Sequence, residues 1–289
     1  MASLYSYSFE MPAIVLFGSS VLLVKYFKKC RKPNVMVHQN DNFSKVYSYL
    51  KDCPSLWKVF YPIPFLYSKH LQLIPYMLTG VYTKLAKSIQ WQNEDFALED
   101  GEIITLSWAG GQLSGESGLS VSFKSTPILV VHHGAFCDYT DLPGQGYVAR
   151  AITKGWIVCA INRRGHAGRK LTIPKWNFFG STTDIKDVTK RVILERHPNA
   201  TLFMLGLSSG SGLLARYFGE GGCEYSAGVG VCPGYNIEQC MDRMQWPYQD
   251  ILLSKGTRML CTVYHSFGVC VVHKNLTKLK QYDTNCKYD

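Results

Sequence analysis

The stretch "MLGLSSGSGLL", residues 204–214, contains the most specific pattern in this chain. An apolar run ends there, Ser208 follows between Gly206 and Gly210, and a helix-like apolar segment begins. A G-x-S-x-G sequence between a strand and a helix is typical of a nucleophile elbow, a strained turn that holds a serine hydroxyl above a sheet. We therefore predict that Ser208 is a nucleophile. The alternative is a Gly/Ser turn that only begins a helix.

A nucleophilic serine needs backbone N–H groups that stabilise the negative charge formed when it attacks a carbonyl carbon. Ser209 begins the predicted helix, so its N–H is the first candidate donor. An earlier apolar run, "VVHHGAF", ends with His133 and Gly134, and the loop after such a strand supplies the second donor in this kind of site. We assign this second role to the Ala135 N–H, with Phe136 as the alternative.

Other polar residues lie close to these motifs in the sequence. His132 and His133 are expected to be structural or to line a pocket, because the general base of such a site follows the serine along the chain. A later run, "INRRGHAG", ends the next predicted strand. There we expect Asn162 and Arg164 to fix the loop by hydrogen bonds to the backbone, with a role in holding a phosphate head group as the alternative. His166 is expected to be an ordinary loop histidine.

Strand-like and helix-like segments alternate from residue 127 to 232. "TPILVVHHG" and "WIVCAINRRG" are continuous apolar runs, as expected for strands buried on both faces of a sheet. "TTDIKDVTKRVILERHP" has the pattern of a helix, and "FALEDGEIITLSWAG" alternates around Asp100 and Gly101 as a hairpin does. This alternation predicts a mostly parallel sheet flanked by helices, with right-handed crossovers.

The composition excludes several classes of protein. The 289 residues carry a net charge of +10, but the basic residues are dispersed and form no nucleic-acid-binding module, so we expect no nucleic acid partner. The ten cysteines form no metal-ligand spacing, and no cofactor motif is present, so neither a metal nor a cofactor is expected. The cysteines also favour a reducing compartment, with Cys159 and Cys232 as small core residues.

The N-terminus has the pattern of a membrane anchor. Residues 11–24, "MPAIVLFGSSVLLV", are uncharged, and five basic residues follow before residue 33. A cleaved signal peptide carries its positive charge before the apolar segment, so we predict an uncleaved single-pass anchor. The positive-inside rule then places the bulk of the chain in the cytosol. The membrane is expected to be the endoplasmic reticulum or another endomembrane. An amphipathic or buried helix is the alternative, and three glycosylation sequons leave a luminal location open.

The chain resembles the membrane-anchored α/β-hydrolase-domain family that includes medium-chain phospholipases and alcohol acyltransferases. The resemblance lies in the order of an apolar N-terminus, "FSKVYSYLKDCPSLWKVFYPIPFLYSKHLQL", "DGEIITLSW", a His-Gly loop, "INRRGHAG" and "GLSSGSG". It implies ester hydrolysis or acyl transfer on lipid-like substrates by a Ser–Asp–His triad. Of the three triad residues, the resemblance assigns only Ser208 in this chain. The sequence "HHGAF" departs from the proline–glycine loop common in that family.

The acid and the base of a triad are harder to place. The candidates after Cys232 are Asp242, Asp250, Asp283, Asp289, His265 and His273. The runs "RMLCTVYH" and "FGVCVVH" leave no room between them for the crossover that parallel strands require. This favours a sheet that ends before its last two strands, with little ester turnover and poor solubility expected for residues 1–289. A divergent triad with Asp250 and His265, or a chain that has lost catalysis, is the alternative.

Together these observations predict an α/β-hydrolase fold with four parts. They are a membrane anchor and basic flank (1–32), an aromatic and proline-rich region packing on the core (33–92), the core (93–240) and a partial lid (241–289). For the second part, contact with the bilayer is the alternative. The predicted function is a membrane-bound serine hydrolase of lipid or medium-chain esters, with no obligate protein partner. The alternative is a non-catalytic, membrane-tethered binding module.

Overall fold

The computed structural model describes residues 19–37, 43–64, 89–111, 125–135, 137–140, 142–173 and 181–234, together with residues 66, 71, 75, 175 and 177. The chain forms two compact units, Met1–Val81 and Tyr82–Asp289. The four-part division drawn from the sequence stays a prediction.

The N-terminal unit contains helices and irregular segments in its described part. Helix α1 covers residues 19–27, α2 covers Phe43–Lys51, and a 3₁₀ turn covers Pro54–Leu56. Among the residues that the structure describes, no helix has the length and apolar character needed to cross a bilayer. Residues 11–18 of the predicted anchor lie outside the described residues.

The described part of the C-terminal unit is built on one six-stranded sheet. Its strands are β1 (Gln92–Ala97), β2 (Ile103–Ala109), β3 (Ile128–His132), β4 (Ile157–Ile161), β5 (Leu202–Leu207) and β6 (Tyr225–Val231). The order across the sheet is β1-β2-β4-β3-β5-β6, and only the β1–β2 and β2–β4 pairs are antiparallel. The predicted hairpin is confirmed: β1 and β2 are joined through Gly101, whose φ is +85°. The mostly parallel sheet is confirmed as well.

Helices cover both faces of this sheet. They are α3 (Leu142–Thr153), α4 (Thr183–Val188), which continues into a π-helical turn (Thr189–Leu194), and α5 (Ser209–Gly219). Alternate residues of a strand point to opposite faces. On β3, Val130 belongs to an apolar cluster that includes side chains of α4 and α5, whereas Val131 belongs to a cluster with side chains of α3. The continuous apolar runs in the sequence therefore reflect strands that are covered on both sides.

Strand β6 lies at one edge of the described sheet. Cys232 follows it, is exposed and has a φ of +52°, so its predicted place in the core is wrong. The reason is its position after a strand at the edge of the described sheet, whereas Cys159 on the central strand β4 is buried as predicted. Residues 235–289, which contain the predicted lid and the predicted end of the sheet, lie outside the described residues.

Candidate active site

Ser208 lies in the turn between β5 and α5. Its φ is +53° and its ψ is −116°, a combination that residues other than glycine rarely adopt. The Ser208 N–H donates to the Val231 carbonyl at 2.9 Å, and the Ser208 carbonyl accepts from the Ser211 N–H at 2.9 Å. The side chain of Ser208 is exposed at the carboxyl end of β5. The strained strand-to-helix turn predicted for this residue is confirmed.

The two flanking glycines are required by close backbone contacts. A Cβ atom added to Gly206 would lie 2.5 Å from the Gly210 carbonyl oxygen. A Cβ atom added to Gly210 would lie 2.4 Å from the His132 carbonyl oxygen and 2.8 Å from that of His133. Real Cβ atoms do not approach backbone oxygens this closely, so α5 can pack against β3 and β5 only without side chains at these positions.

The loop after β3 runs beside the serine. A Cβ atom added to Gly134 would lie 3.3 Å from Ser208 Cβ and 3.6 Å from the Leu207 carbonyl oxygen. Ser209 is the first residue of α5, and the first N–H groups of an α-helix have no partner within the helix. The loop geometry thus agrees with oxyanion donors at Ser209 and Ala135, a role that stays a prediction for both. Phe136 lies outside the described residues.

A buried histidine–arginine pair holds this loop in place. His133 Nε2 accepts from the Arg163 backbone N–H at 3.1 Å, so the ring proton is on Nδ1, which donates to the Gly134 carbonyl at 2.8 Å. The Arg163 guanidinium donates back to the His133 carbonyl at 2.8 Å. Burial lowers the pKa of Arg163 only to about 10, so the guanidinium stays charged at neutral pH. With both ring nitrogens engaged, His133 supports the loop and is not available as a base for Ser208.

Arg163 is the site residue that the sequence patterns do not single out. Two adjacent arginines follow β4, and consecutive side chains at a strand end point to opposite sides. A charged side chain is buried only when it is paired or hydrogen-bonded. Two adjacent arginines directly after a buried strand therefore indicate that one of them has a partner inside the protein.

Asn162 and Arg164, on either side of Arg163, make contacts of different kinds. Asn162 is buried, donates to the Thr105 carbonyl at 2.9 Å and accepts from the Tyr139 N–H at 3.1 Å, so its predicted backbone bonds are confirmed. Arg164 instead pairs with carboxylates, at 2.7 Å from Asp184 and 2.8 Å from Asp100. The prediction of backbone bonds for Arg164 is wrong, because a buried guanidinium is best neutralised by charged partners.

Three buried histidines surround the loop. Burial, followed by the charge of Arg163, lowers the pKa of His132 to about 3 and holds that of His133 well below its usual value. Burial also lowers the pKa of His166, whose ring lies 5.1 Å from that of His133. His166 is buried and its Nδ1 lies 3.0 Å from the Arg164 carbonyl, so it is part of the packed interior rather than an ordinary loop residue.

These pKa values predict that acid destabilises the fold. Below pH ~6.5 the unfolded chain binds protons at histidines that stay neutral in the folded chain, so the free energy of unfolding falls as the pH falls. The slope is up to about 1.4 kcal/mol per pH unit for each such histidine. Urea midpoints measured at pH 7.5 and pH 5 should show the fall, and His132→Gln should reduce it. A midpoint that rises towards pH 5 would contradict the assignment.

The general base is not found in the described part of the chain. Within those residues, no hydrogen bond joins the Ser208 hydroxyl to a histidine. The nearby Ser211 hydroxyl is buried and lies 2.8 Å from the carbonyl oxygens of Gly206 and Val231, which explains why Ser211 is structural. His265 and the other acid and base candidates from the sequence lie outside the described residues. Where the structure describes the chain, no three His, Cys, Asp or Glu side chains could hold a metal ion.

The chain is similar to several known proteins. The phospholipase ABHD3 of Mus musculus is 24% identical over 249 residues, covering 83% of this chain and 57% of the mouse protein. The embryogenesis-associated protein EMB8 of Picea glauca is 27% identical over 179 residues, covering 60% of this chain and 37% of the spruce protein. A solved Pyrococcus furiosus esterase is 18% identical with a TM-score of 0.44, covering 63% of this chain and 64% of the esterase. The chain thus spans between about a third and three fifths of the length of these two curated relatives.

The family comparison covers the part of the chain that carries the elbow. The sequence pattern of the family described as serine aminopeptidase, S33, matches residues 124–282, which is more than half of the chain. The match includes the loop after β3, the arginine pair, Ser208 and β6. With the strand order and the strained turn at Ser208, it shows that the chain belongs to the serine aminopeptidase S33 family of α/β hydrolases.

Proposed function

We propose that this chain is a serine hydrolase that cleaves ester bonds of lipid-like substrates, with Ser208 as the nucleophile. The observation that carries the proposal is the left-handed backbone of Ser208, held between two glycines that touch neighbouring backbone. Such strain costs free energy and persists where the fold needs it, most often at functional sites. Ser211, by contrast, lies within the regular helix α5 and has a buried hydroxyl.

In the proposed reaction, Ser208 Oγ attacks the carbonyl carbon of the ester while its proton passes to a general base. The carbonyl oxygen becomes an oxyanion, which accepts hydrogen bonds from the Ser209 and Ala135 N–H groups. Collapse of this intermediate breaks the bond to the alcohol, which takes the proton from the base and leaves. The acyl group then remains bonded to Ser208 Oγ. Water then releases the acid. An alcohol in place of water would give acyl transfer.

Support for a lipid ester as the substrate comes from the likeness to the protein named phospholipase ABHD3 and from the apolar, basic N-terminus. The experiment measures turnover of esters of short, medium and long acyl chains by the full chain in detergent, beside Ser208→Ala. We expect all enzymatic turnover to depend on Ser208. Turnover that survives in Ser208→Ala would overturn the proposal.

A binding module of the same fold is the second candidate. It is favoured by the absence, among the described residues, of a histidine bonded to Ser208. The size of the turnover separates the remaining alternatives for residues 235–289. Efficient turnover that is lost in His265→Gln indicates the divergent triad, and slow turnover with covalent labelling of Ser208 indicates a nucleophile without an efficient general base. A folded chain with neither reaction indicates the binding module.

Arg163 is expected to be a positioning residue for the proposed reaction. Arg163→Ala removes the donor to the His133 carbonyl and releases the loop beside Ser208, and a misplacement near 1 Å can lower a rate by about 100-fold. The rate of covalent labelling of Ser208, normalised to the folded fraction, should fall by roughly 10- to 100-fold. Arg164→Gln is the matched control: it should lower the urea midpoint but leave the normalised rate unchanged. Equal rates in the two variants would show that Arg163 is only structural.

We also propose that the N-terminal unit holds the chain at a membrane. The support is the uncharged run 11–24 followed by basic residues. Alkaline carbonate extraction of membranes from expressing cells should leave the intact chain in the pellet. Release into the supernatant with residues 1–32 still present would contradict the proposal.

A further inference from the structure

Two segments of the N-terminal unit are joined by hydrogen bonds. Arg31 and Phe60 form an antiparallel bridge, in which the Phe60 N–H donates to the Arg31 carbonyl at 2.8 Å and the Arg31 N–H donates to the Phe60 carbonyl at 3.3 Å. The Tyr26 hydroxyl donates to the Pro62 carbonyl at 3.0 Å. Directly opposed side chains in such a pair lie on the same side, so the Arg31 and Phe60 side chains are neighbours.

These two segments expose large apolar and aromatic side chains. Trp57 is 41% exposed, Phe60 58%, Tyr61 64% and Ile63 50%. On the adjoining segment, Phe27 is exposed as well, and its ring packs edge-on against that of Tyr26. We call the residues 57–63, with Phe27, the aromatic face. Soluble monomeric proteins rarely expose a group of large apolar side chains of this kind unless it is a contact surface.

Basic side chains lie on the same two segments as the aromatic face. Lys28, Lys29, Arg31 and Lys32 lie on one segment and Lys58 on the other, and all of them are exposed. Residues 19–37 contain no acidic residue, and neither do residues 57–63. Aromatic rings and lysine side chains together are typical of proteins at the boundary between lipid headgroups and acyl chains. The charge is complementary to anionic phospholipids, which attract basic segments.

We propose that the aromatic face, with the lysines and arginine on the same two segments, binds the surface of a bilayer that carries anionic phospholipid headgroups. Phe60, Tyr61 and Ile63 enter the region below the headgroups, and the lysine and arginine side chains contact the phosphates. This contact is separate from the predicted anchor at residues 11–24, because it uses a different segment of the chain. It rests on the proposed function, since it keeps a lipid hydrolase at the surface that contains its substrate.

The test is photo-crosslinking of the full chain reconstituted into vesicles. The vesicles contain phosphatidylcholine alone or with phosphatidylserine, and a trace of phospholipid with a diazirine near the headgroup. Cross-links are mapped by mass spectrometry as a ratio of those within residues 56–64 to those within residues 11–24. We expect this ratio to rise with phosphatidylserine. An equal ratio in both kinds of vesicle, or no cross-link within residues 56–64, would overturn the proposal.

Variants separate the apolar and electrostatic parts of the contact. Phe60→Ser with Tyr61→Ser should remove most cross-links from residues 56–64 in both kinds of vesicle. The triple variant Lys28→Gln, Lys29→Gln and Lys58→Gln should no longer show the rise of the ratio with phosphatidylserine. Each lysine is expected to strengthen binding to the anionic surface by roughly fivefold. Tyr147→Ser and Lys190→Gln change an exposed aromatic and an exposed basic residue of the other unit, and they should behave as wild type. If these controls lower the ratio as much as the test variants do, the proposal is wrong.

The same samples distinguish this proposal from the proposed function. Ser208-dependent turnover without cross-links at residues 56–64 overturns the membrane contact alone. Cross-links at residues 56–64 without any Ser208-dependent reaction overturn the proposed function alone.

Discussion

Gly210→Ala should destabilise the folded chain by about 3 kcal/mol or more, a large part of the total stability of a typical domain. The new Cβ atom would lie 2.4 Å from the His132 carbonyl oxygen, and that oxygen belongs to the backbone of a central strand. The contact can be relieved only if α5 moves away from the sheet or the turn at Ser208 changes its conformation, and both changes cost free energy. The urea midpoint should fall sharply, and Gly210→Val should leave little folded protein.

Gly212→Ala is the control for this prediction, because Gly212 lies in the same helix. A Cβ atom added there has no atom of another element within 4 Å, so the substitution only replaces a poor helix former with a good one. It should leave the stability unchanged or raise it by up to about 1 kcal/mol. Equal midpoints for the Gly210 and Gly212 variants would show that the tight crossing between helix and sheet does not exist.

The parts of the fold that could be predicted are those controlled by local patterns. Strands β3 and β4 are visible as apolar runs, and the hairpin turn is visible at Gly101. The elbow is visible as well, because the close backbone contacts on both sides of Ser208 require glycine. A strand buried on both faces must be apolar throughout, which makes it visible in a single sequence. For the same reason the alternation of strands and helices from β3 to β6 can be predicted from the sequence.

Other features depend on contacts between distant residues and could not be predicted. Arg163 binds a carbonyl 30 positions earlier in the chain, and Arg164 binds Asp100, 64 positions earlier. Which arginine supports the loop and which pairs with carboxylates depends on how β3 and β4 lie side by side. The exposure of Cys232 has the same origin, because an apolar run does not reveal whether its strand lies at the edge of the described sheet.

Replacing Ser208 is expected to have the largest effect on chemistry. Ser208→Ala removes the hydroxyl oxygen that is proposed to form the bond to the substrate, while the alanine methyl group fits where the serine Cβ lies. Removing the nucleophile of a serine hydrolase lowers its rate by several orders of magnitude, and the remainder comes from binding and the oxyanion donors. The strained φ of +53° is unfavourable for alanine too, so the urea midpoint should change little.

The most direct test of the account is covalent labelling with a fluorophosphonate, which reacts with activated serine hydroxyl groups. Labelled full-length chain is digested and the modified residue is identified by mass spectrometry. Ser208→Ala is measured beside the wild type, with Ser226→Ala as a control for an exposed serine on β6. The account predicts one modified residue, Ser208, with labelling lost in Ser208→Ala and kept in Ser226→Ala. A folded wild-type chain that is not labelled, or is labelled equally after Ser208→Ala, would contradict it.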